Sequence, residues 1–400
     1  MKFFVLIPTY NEAENINRTL GEVLRVFEEI GTKHDMHVLV TDANSKDGTG
    51  QLVRDFQSTH PNVHLIVEEA KRGLGAAYTD AMREAFETHQ AEAIITFDAD
   101  LSHDVNLIPK IVEKIAAGAN FVAGSRYKKG GSVPEEWGVH RKILSYMGNL
   151  FVRIIYFEKN ATDYTSGFKS ITKEVYQKIK VNLGKKFQGY TFIIAFGLET
   201  LKSGYKVVEI PYHFKDRTLG KSKMSSEYFY NAFKFVVESR IRDFIATRFG
   251  KVFIAGGAGA CSQLIMYRFF HEIVETNNFF NLPFDFFIGG IDIYPRFIVS
   301  QLLSIEVGLV VSFFINNMWA FGDQVLKGFK FIRGLVKNHF VVIGGILIQL
   351  GIGQLLAAMF GISLLLSYIY QVVGIFVGLF WNFYFYKKFI WKIKQNDAAI

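Results

Sequence analysis

The chain is predicted to fold as an α/β domain built on a mostly parallel sheet, followed by an all-α membrane domain of four spans. Three observations predict this. Through residues 1 to about 215, short apolar runs alternate with stretches of helical period, as in a sheet covered by helices. Charged side chains crowd into the first 250 residues and thin out over 251–400. Within that second part, four apolar stretches reach the roughly 20 residues needed to cross a hydrocarbon core.

Strands are expected at Phe3 to Pro8, His37 to Thr41, Val63 to Val67, Ala93 to Phe97, Phe121 to Gly124 and Val207 to Pro211. Helices fill the gaps between them. After the first strand, Ile16, Leu20, Val23, Leu24 and Phe27 recur at helical spacing. Asn11 stands as their cap, and Glu12 and Glu14 bring acid to the first turn, where the helix dipole favours it. Two further stretches read as helices lying in a headgroup plane. In one, Ile143, Leu144, Met147, Leu150, Phe151, Ile154 and Ile155 form an apolar stripe that starts beside Arg141 and Lys142. In the other, Tyr228, Phe229, Phe233, Val236, Val237 and Ile241 share a face while Lys234, Arg240 and Arg242 lie elsewhere. For the first of these, a helix buried in the core is the competing reading. The expected divisions are 1–225 for the α/β domain, 226–250 for an interface helix and 251–400 for the membrane domain.

The four spans are expected near Val252 to Phe270, Phe297 to Phe321, Phe340 to Phe360 and Leu364 to Tyr386. The chain opens on an apolar strand with no basic leader, which keeps the first domain in the cytosol. Loop charge agrees with that orientation. Lys327, Lys330, Arg333 and Lys337 follow the second span and Lys387, Lys388, Lys392 and Lys394 the fourth, whereas Glu272, Glu275, Asp285 and Asp292 fall in the loop on the other side. The net charge of +8 thus reads as topology and attraction to anionic lipid. Nucleic acid is excluded as a partner, because the basic residues are not clustered with base-stacking aromatics. Cys261 is the only cysteine, so neither an intrachain disulfide nor a cysteine metal site is available. Glu306 is the sole acid well inside a span, and interhelical hydrogen bonding is the favoured reading over a functional carboxylate.

The chemistry-bearing residues gather at strand ends, where open α/β sheets bind ligands. Asp98 and Asp100 close the apolar run Ala93 to Phe97, two residues apart and able to grip one hard cation. Pro8, Thr9, Tyr10, Asn11 and Glu12 end the first strand. Thr41, Asp42, Ala43, Asn44 and Ser45 end the second, with Asp47, Gly48 and Thr49 behind them. Lys71, Arg72, Gly73, Leu74 and Gly75 combine cations for a diphosphate with glycines that allow close backbone approach. At this point the chain resembles the family 2 glycosyltransferases of the GT-A fold. Downstream segments narrow the resemblance: Gly124 to Tyr127, Asp163 to Phe168, Gly189 with Tyr190, and Arg217, Gly220, Ser222 and Lys223. This series looks like the polyprenol-phosphate sugar synthases, most of all those that make dolichol-phosphate mannose, and covers residues 1–225. The four spans resemble a GtrA-like membrane domain through Ser312 to Phe321 and through Asn382, Phe383 and Trp391.

The resemblance implies an inverting, metal-dependent transfer of mannose from GDP-mannose to dolichyl or another polyprenyl phosphate, with Mg²⁺ or Mn²⁺ as cofactor. It implies that Pro8, Tyr10, Glu12, Asp42 and Asp98 contact the nucleoside part of the donor, and that Arg217 and Lys223 clamp its diphosphate. Asp98, Asp100 and Ser102 would hold the metal. Arg126, Arg141 and Ser145 would hold the acceptor phosphate, and Asp163 joins Asp100, Arg126 and Arg141 in the catalytic set. Simpler readings stand beside these: an ion pair for Arg126, membrane snorkelling for Arg141, and an Asx turn for Asp163. His103 is expected to support the acid pair from behind. Three positions depart from the family pattern. Ala43 replaces an acid, Ser102 stands where relatives often have glutamine, and Ala195 stands where they commonly have glutamate, with Glu199 one turn later as a substitute.

A phosphate acceptor explains why no general base is evident. Its second pKa lies near 6 by analogy with phosphorylated side chains, so the attacking oxygen is already anionic at neutral pH. Glucose transfer from UDP-glucose is the alternative within the same class. A lipid-linked-sugar carrier or scaffold is the alternative outside it, and assembly with copies of itself is open to the chain.

Overall fold

A computed structural model describes the chain except residues 184–190, 217–226, 277–285, 289–290 and 386–400. Two compact units emerge, Met1–Arg240 and Ile241–Ile400. The first alternates β1 (Lys2–Thr9), α1 (Ala13–Ile30), β2 (Asp35–Asp42), α2 (Thr49–Thr59), β3 (Val63–Val67), α3 (Leu74–Arg83), β4 (Ala93–Thr96), α4 (Ile108–Ala116) and β5 (Phe121–Ser125). It continues with α5 (Val139–Tyr156), β6 (Lys169–Thr172), α6 (Lys173–Leu183), α7 (Thr191–Lys202) and β7 (Val207–Pro211).

Among the described residues these strands form one sheet in the order β3-β2-β1-β4-β6-β5-β7. β1 runs parallel to both β2 and β4, which brings the ends of all three strands to one edge. Burial on both faces explains the unbroken apolar run of β1. Phe3, Val5 and Ile7 pack into a core with Ile16, Leu20 and Val23 of α1. Phe4 and Leu6 face the other way, into a core with Tyr78, Met82 and Phe192.

One strand was not expected. β6 lies antiparallel between β4 and β5. Its four residues start with Lys169 and Ser170, so it carries no apolar run to signal it. Lys169 is nonetheless buried, at 1% exposure, because its ammonium donates to the carbonyls of Tyr164 and Ser166. The expected Asn11 cap is also corrected. Helix α1 starts at Ala13, no side chain caps it from within, and Asn11 sits at φ +52°. Its first amides are satisfied from α2's approach instead: Thr49 Oγ1 accepts from Glu12 N at 2.9 Å and Asp47 Oδ2 from Ala13 N at 2.9 Å. Capping from 34 or more residues away leaves no local signature.

At the opposite, N-terminal edge of the sheet, histidines line up. His37 Nε2 donates to Asp35 at 2.9 Å, and His37 Nδ1 then accepts from His64 Nε2 at 3.1 Å. Burial, with His89, His37 and Lys2 nearby, pushes His64 down to about 4. The unfolded chain therefore takes up the proton first as pH falls. The stability held by neutral His64 is complete above about pH 6.5 and is lost toward pH 4. The first unit should lose about 1–2 kcal/mol between pH 7 and 4.5, discounted because His64 is partly solvated. His64→Gln should flatten this slope in thermal melts across that range, and an unchanged slope would rule the cluster out.

Helix α8 (Glu227–Ala246) leads from the first unit to the second. The second consists of α9 (Arg248–Thr276), a short hairpin of β8 (Phe286–Ile288) and β9 (Ile291–Ile293), α10 (Pro295–Ile315), α11 (Phe329–Phe360) and α12 (Leu364–Phe385). Among the described residues, three helices are long and apolar enough to cross a membrane, Arg248–Thr276, Pro295–Ala320 and Phe329–Phe360. The fourth expected span is helical over Leu364–Phe385. α9 and α10 meet at glycines: a Cβ on Gly259 would lie 2.5 Å from Gly308 O, so only a hydrogen lets these backbones touch. Glu306 on α10 accepts from His339 Nε2 on α11 at 2.8 Å, the interhelical bond expected of it.

Candidate active site

The acid pair sits on a tight turn at the end of β4. Leu101 takes φ +57°, and the turn is closed by the Ser102 amide donating to Asp100 Oδ1 at 3.0 Å. Asp98 is fixed from behind. Its amide donates to His103 Nδ1 at 3.2 Å, which leaves the proton on Nε2, 3.5 Å from Asp98 Oδ2. Burial holds the His103 pKa down despite both aspartates, so a neutral imidazole stacked on Phe168 supports the pair. Side-chain burial at Ser102 is nearly complete, at 4% exposure, whereas Asp98 remains 38% exposed.

These residues fit a hard divalent cation. Among the described residues no group of three or more His, Cys, Asp or Glu could hold a metal. One or two carboxylates completed by water and substrate phosphate is the arrangement magnesium-type ions take, and the turn offers that.

The end of the site expected to take the nucleoside is built from three strand ends. Asp42, expected to touch the donor, is 2% exposed and already engaged. Its Oδ1 accepts from Thr9 Oγ1 at 2.9 Å and its Oδ2 from the Ser45 amide at 3.0 Å, so it pins the end of β1 to the turn after β2. Tyr10 carries Lys71 Nζ 3.7 Å above its ring, which draws the loop after β3 over the end of β1. Glu12 accepts from Asn15 Nδ2 at 2.8 Å. Pro8 is half-buried at the end of β1. In the same loop Glu68, which sequence reading missed, is buried and paired with Arg72 at 2.6 Å.

The second half of the site centres on Arg126 and Asp163. Arg126 Nε donates to Asp163 Oδ2 at 2.7 Å, Nη2 donates to Oδ1 at 2.8 Å, and the Arg126 amide adds a bond to Oδ2 at 3.0 Å. Both side chains are buried, at 7% and 0% exposure. Burial alone would lower the Arg126 pKa, but Asp163 more than reverses it. Burial would raise that of Asp163, and Arg126 holds it below the usual range. Glu209 braces the loop from beneath, accepting from Thr162 N at 2.6 Å and Asp163 N at 3.2 Å. Lys169 holds its other side, and burial drives that amine down to about 7. Gly167 then ties this loop to the acid pair, since a Cβ there would lie 3.6 Å from Asp98 Oδ1 and 3.3 Å from His103 Cε1.

Helix α5 supplies the remaining groups. Ser145 accepts from Tyr127 OH at 2.5 Å, and Asn149 Oδ1 accepts from the Tyr164 amide at 2.7 Å. Arg141 lies at the start of the helix and is 44% exposed. Much of the helix's apolar stripe faces outward, with Ile143, Leu144, Met147 and Ile154 all exposed, so the buried-core reading fails for it. Arg217 and Lys223 lie outside the described residues, as do Gly189, Tyr190, Gly220 and Ser222. Ala195 is fully buried, and Glu199 is held by Asn182 at 2.8 Å and Lys202 at 3.1 Å.

Comparison with known proteins agrees with this geometry. Residues 4–180 match glycosyl transferase family 2, and residues 293–391 match the GtrA/DPMS transmembrane domain. Polyprenol monophosphomannose synthase of Mycolicibacterium smegmatis is 34% identical over 239 residues, covering 60% of this chain and 86% of that protein. Dolichol-phosphate mannosyltransferase of Pyrococcus furiosus is 29% identical over 376 residues, covering 91% and 96%. Undecaprenyl-phosphate mannosyltransferase of Micrococcus luteus is 34% identical over 225 residues, covering 56% and 88%. Fold, site and these matches define a membrane glycosyltransferase with a GT-A catalytic domain. Within that class, the chain belongs to the polyprenyl-phosphate sugar synthases of glycosyl transferase family 2.

Proposed function

We propose that this enzyme transfers mannose from GDP-mannose to a dolichyl-type polyprenyl phosphate, with inversion, on the cytoplasmic face of the membrane. The observation that carries the sugar and the lipid is the agreement of the three relatives, whose names all join mannose to a polyprenyl-type phosphate. The site supports the acceptor class. Asp163 is locked to Arg126 with its pKa held low, so it is unfit as a general base. A phosphate acceptor needs none, because its attacking oxygen is already an anion.

Transfer then reduces to bringing two anions together. The acceptor phosphate, held by Arg126, Arg141 and Ser145, attacks the anomeric carbon as the bond to the donor diphosphate breaks and GDP leaves. Asp98 and Asp100 would hold Mg²⁺ or Mn²⁺, which supplies charge neutralisation at the departing diphosphate. Arg217 and Lys223 add to that clamp. Pro8, Tyr10 and Glu12 lie along the nucleoside, with Asp42 shaping that end of the crevice through Thr9 and Ser45. The exposed apolar face of α5 docks on the bilayer beside Arg141, which brings the phosphate to headgroup level.

Purified enzyme given polyprenyl phosphate, a divalent metal and labelled GDP-mannose, GDP-glucose, UDP-glucose or UDP-mannose should form labelled lipid fastest with GDP-mannose. Preference for UDP-glucose would replace the donor assignment. No labelled lipid with any donor would end the acceptor assignment as well.

A further inference from the structure

Between β7 and Arg217 runs the segment Tyr212 to Asp216, which contacts the acid-pair turn, the Asp163 loop, Arg126 and the start of α5. Tyr212 OH meets Ser166 Oγ at 3.1 Å, and the Lys215 amide donates to Ser102 O, in the metal turn, at 3.3 Å. Phe214 lies 5.5 Å from the Arg126 guanidinium and packs edge-on against Trp137, 5.7 Å between ring centres. The segment ends on Asp216. One of its oxygens, Oδ2, accepts from both Trp137 Nε1 at 3.0 Å and Arg141 Nη1 at 3.1 Å. The Arg141 guanidinium lies flat over the Trp137 ring, 3.8 Å from its centre.

A solvent-exposed arginine ordinarily samples many rotamers, and fixing one costs conformational entropy. Here Arg141 is half exposed, yet it is held on two sides: the buried indole of Trp137 below it and the Asp216 carboxylate at one edge. The indole N–H and the guanidinium share one Asp216 oxygen, so a single carboxylate fixes both groups. Arg141 presents five N–H donors, and Asp216 engages it through Nη1 alone. The remaining edge is left for a phosphate.

We infer that Trp137 and Asp216 are positioning residues for the acceptor phosphate, acting through Arg141. This rests on Arg141 being an acceptor contact, as proposed above. Asp216 adjoins Arg217 in sequence, so the residue that orients the acceptor arginine is covalently next to a residue assigned to the donor diphosphate. Donor and acceptor arginines are thereby referred to one short segment.

The test uses the full-length enzyme in lipid nanodiscs with labelled GDP-mannose and a polyprenyl phosphate series. Asp216→Asn and Trp137→Phe should each raise the acceptor KM about 5- to 10-fold, the size of one ordinary hydrogen bond, while the donor KM stays within about twofold. Asp216→Glu should recover most of the loss. The decisive arm is the double variant Asp216→Asn with Arg141→Ala, whose acceptor KM should equal that of Arg141→Ala alone. If the two effects multiply, or if Asp216→Asn leaves the acceptor KM unchanged, the inference is overturned. If Arg141→Ala itself leaves the acceptor KM unchanged, the assignment of Arg141 fails, and the inference with it. Asp216 is 43% exposed, so its replacement leaves the core intact, and melting curves of each variant separate unfolding from mispositioning.

Discussion

Asp100→Ala should reduce kcat/KM about a thousandfold or more while leaving the melting temperature of the catalytic unit within a degree or two of wild type. The asymmetry follows from where Asp100 sits. Asp100 is only partly buried, and the bond it accepts from the Ser102 amide is local to the turn. The core beneath, Phe97, Ala99 and Val105, is untouched. Chemically the carboxylate is central under the proposed reading, because nothing else on that turn offers a second accessible anion. Asp98→Ala should differ. Asp98 also faces buried His103, whose remaining N–H would lose its acceptor, so that variant should lose stability as well as rate. Mn²⁺ binding followed by electron paramagnetic resonance gives a readout independent of turnover. Undiminished Mn²⁺ affinity in Asp100→Ala would move the metal elsewhere.

Breaking the Arg126–Asp163 pair should be the costliest single change to the fold of the catalytic unit. Asp163→Ala leaves a buried guanidinium without its partner, and such losses run to about 3–5 kcal/mol. Three hydrogen bonds from Arg126 and those from Thr165 and Ser166 all converge on this carboxylate. Removing both charges together is a different experiment. Arg126→Met with Asp163→Leu should recover part of the stability, because the desolvation cost disappears along with the attraction while the Arg126 and Ser166 amides still lack their acceptor. It should recover no transfer. Urea unfolding and acceptor kinetics on the two variants therefore separate what the pair does for folding from what Arg126 does for the phosphate. A double variant that regains transfer would reduce Arg126 to a structural residue.

How far the sequence could be read depended on how local each cause was. The apolar run of β1, the turn residues after β2 and the acids after β4 are contiguous signals, and each reappears as the expected strand end. The membrane helices are the strongest case, since a long apolar stretch has few other ways to satisfy its backbone. β6 went unseen because its burial depends on Lys169 reaching carbonyls in a loop it helps to shape. The resemblance implied Asp42 as a donor contact, and what it could not show is that both its oxygens accept from Thr9 and Ser45. Arg126 illustrates the same limit. Its pairing with Asp163 spans 37 residues and leaves no local signature.

What the sequence determined by itself was the order of parts: strand ends that gather polar residues, an acid pair after the fourth strand, and helices long enough to cross a bilayer. These are properties of residue type and spacing along the chain, carried by hydrophobic period and backbone geometry. Only the tertiary structure decided which polar groups are already engaged with one another. Glu209 under the Asp163 loop and Trp137 with Asp216 around Arg141 are long-range partnerships with no local trace. The reason is physical. A buried or shared hydrogen bond is chosen by which groups folding brings within about 3 Å, and that proximity exists only once the sheet has formed.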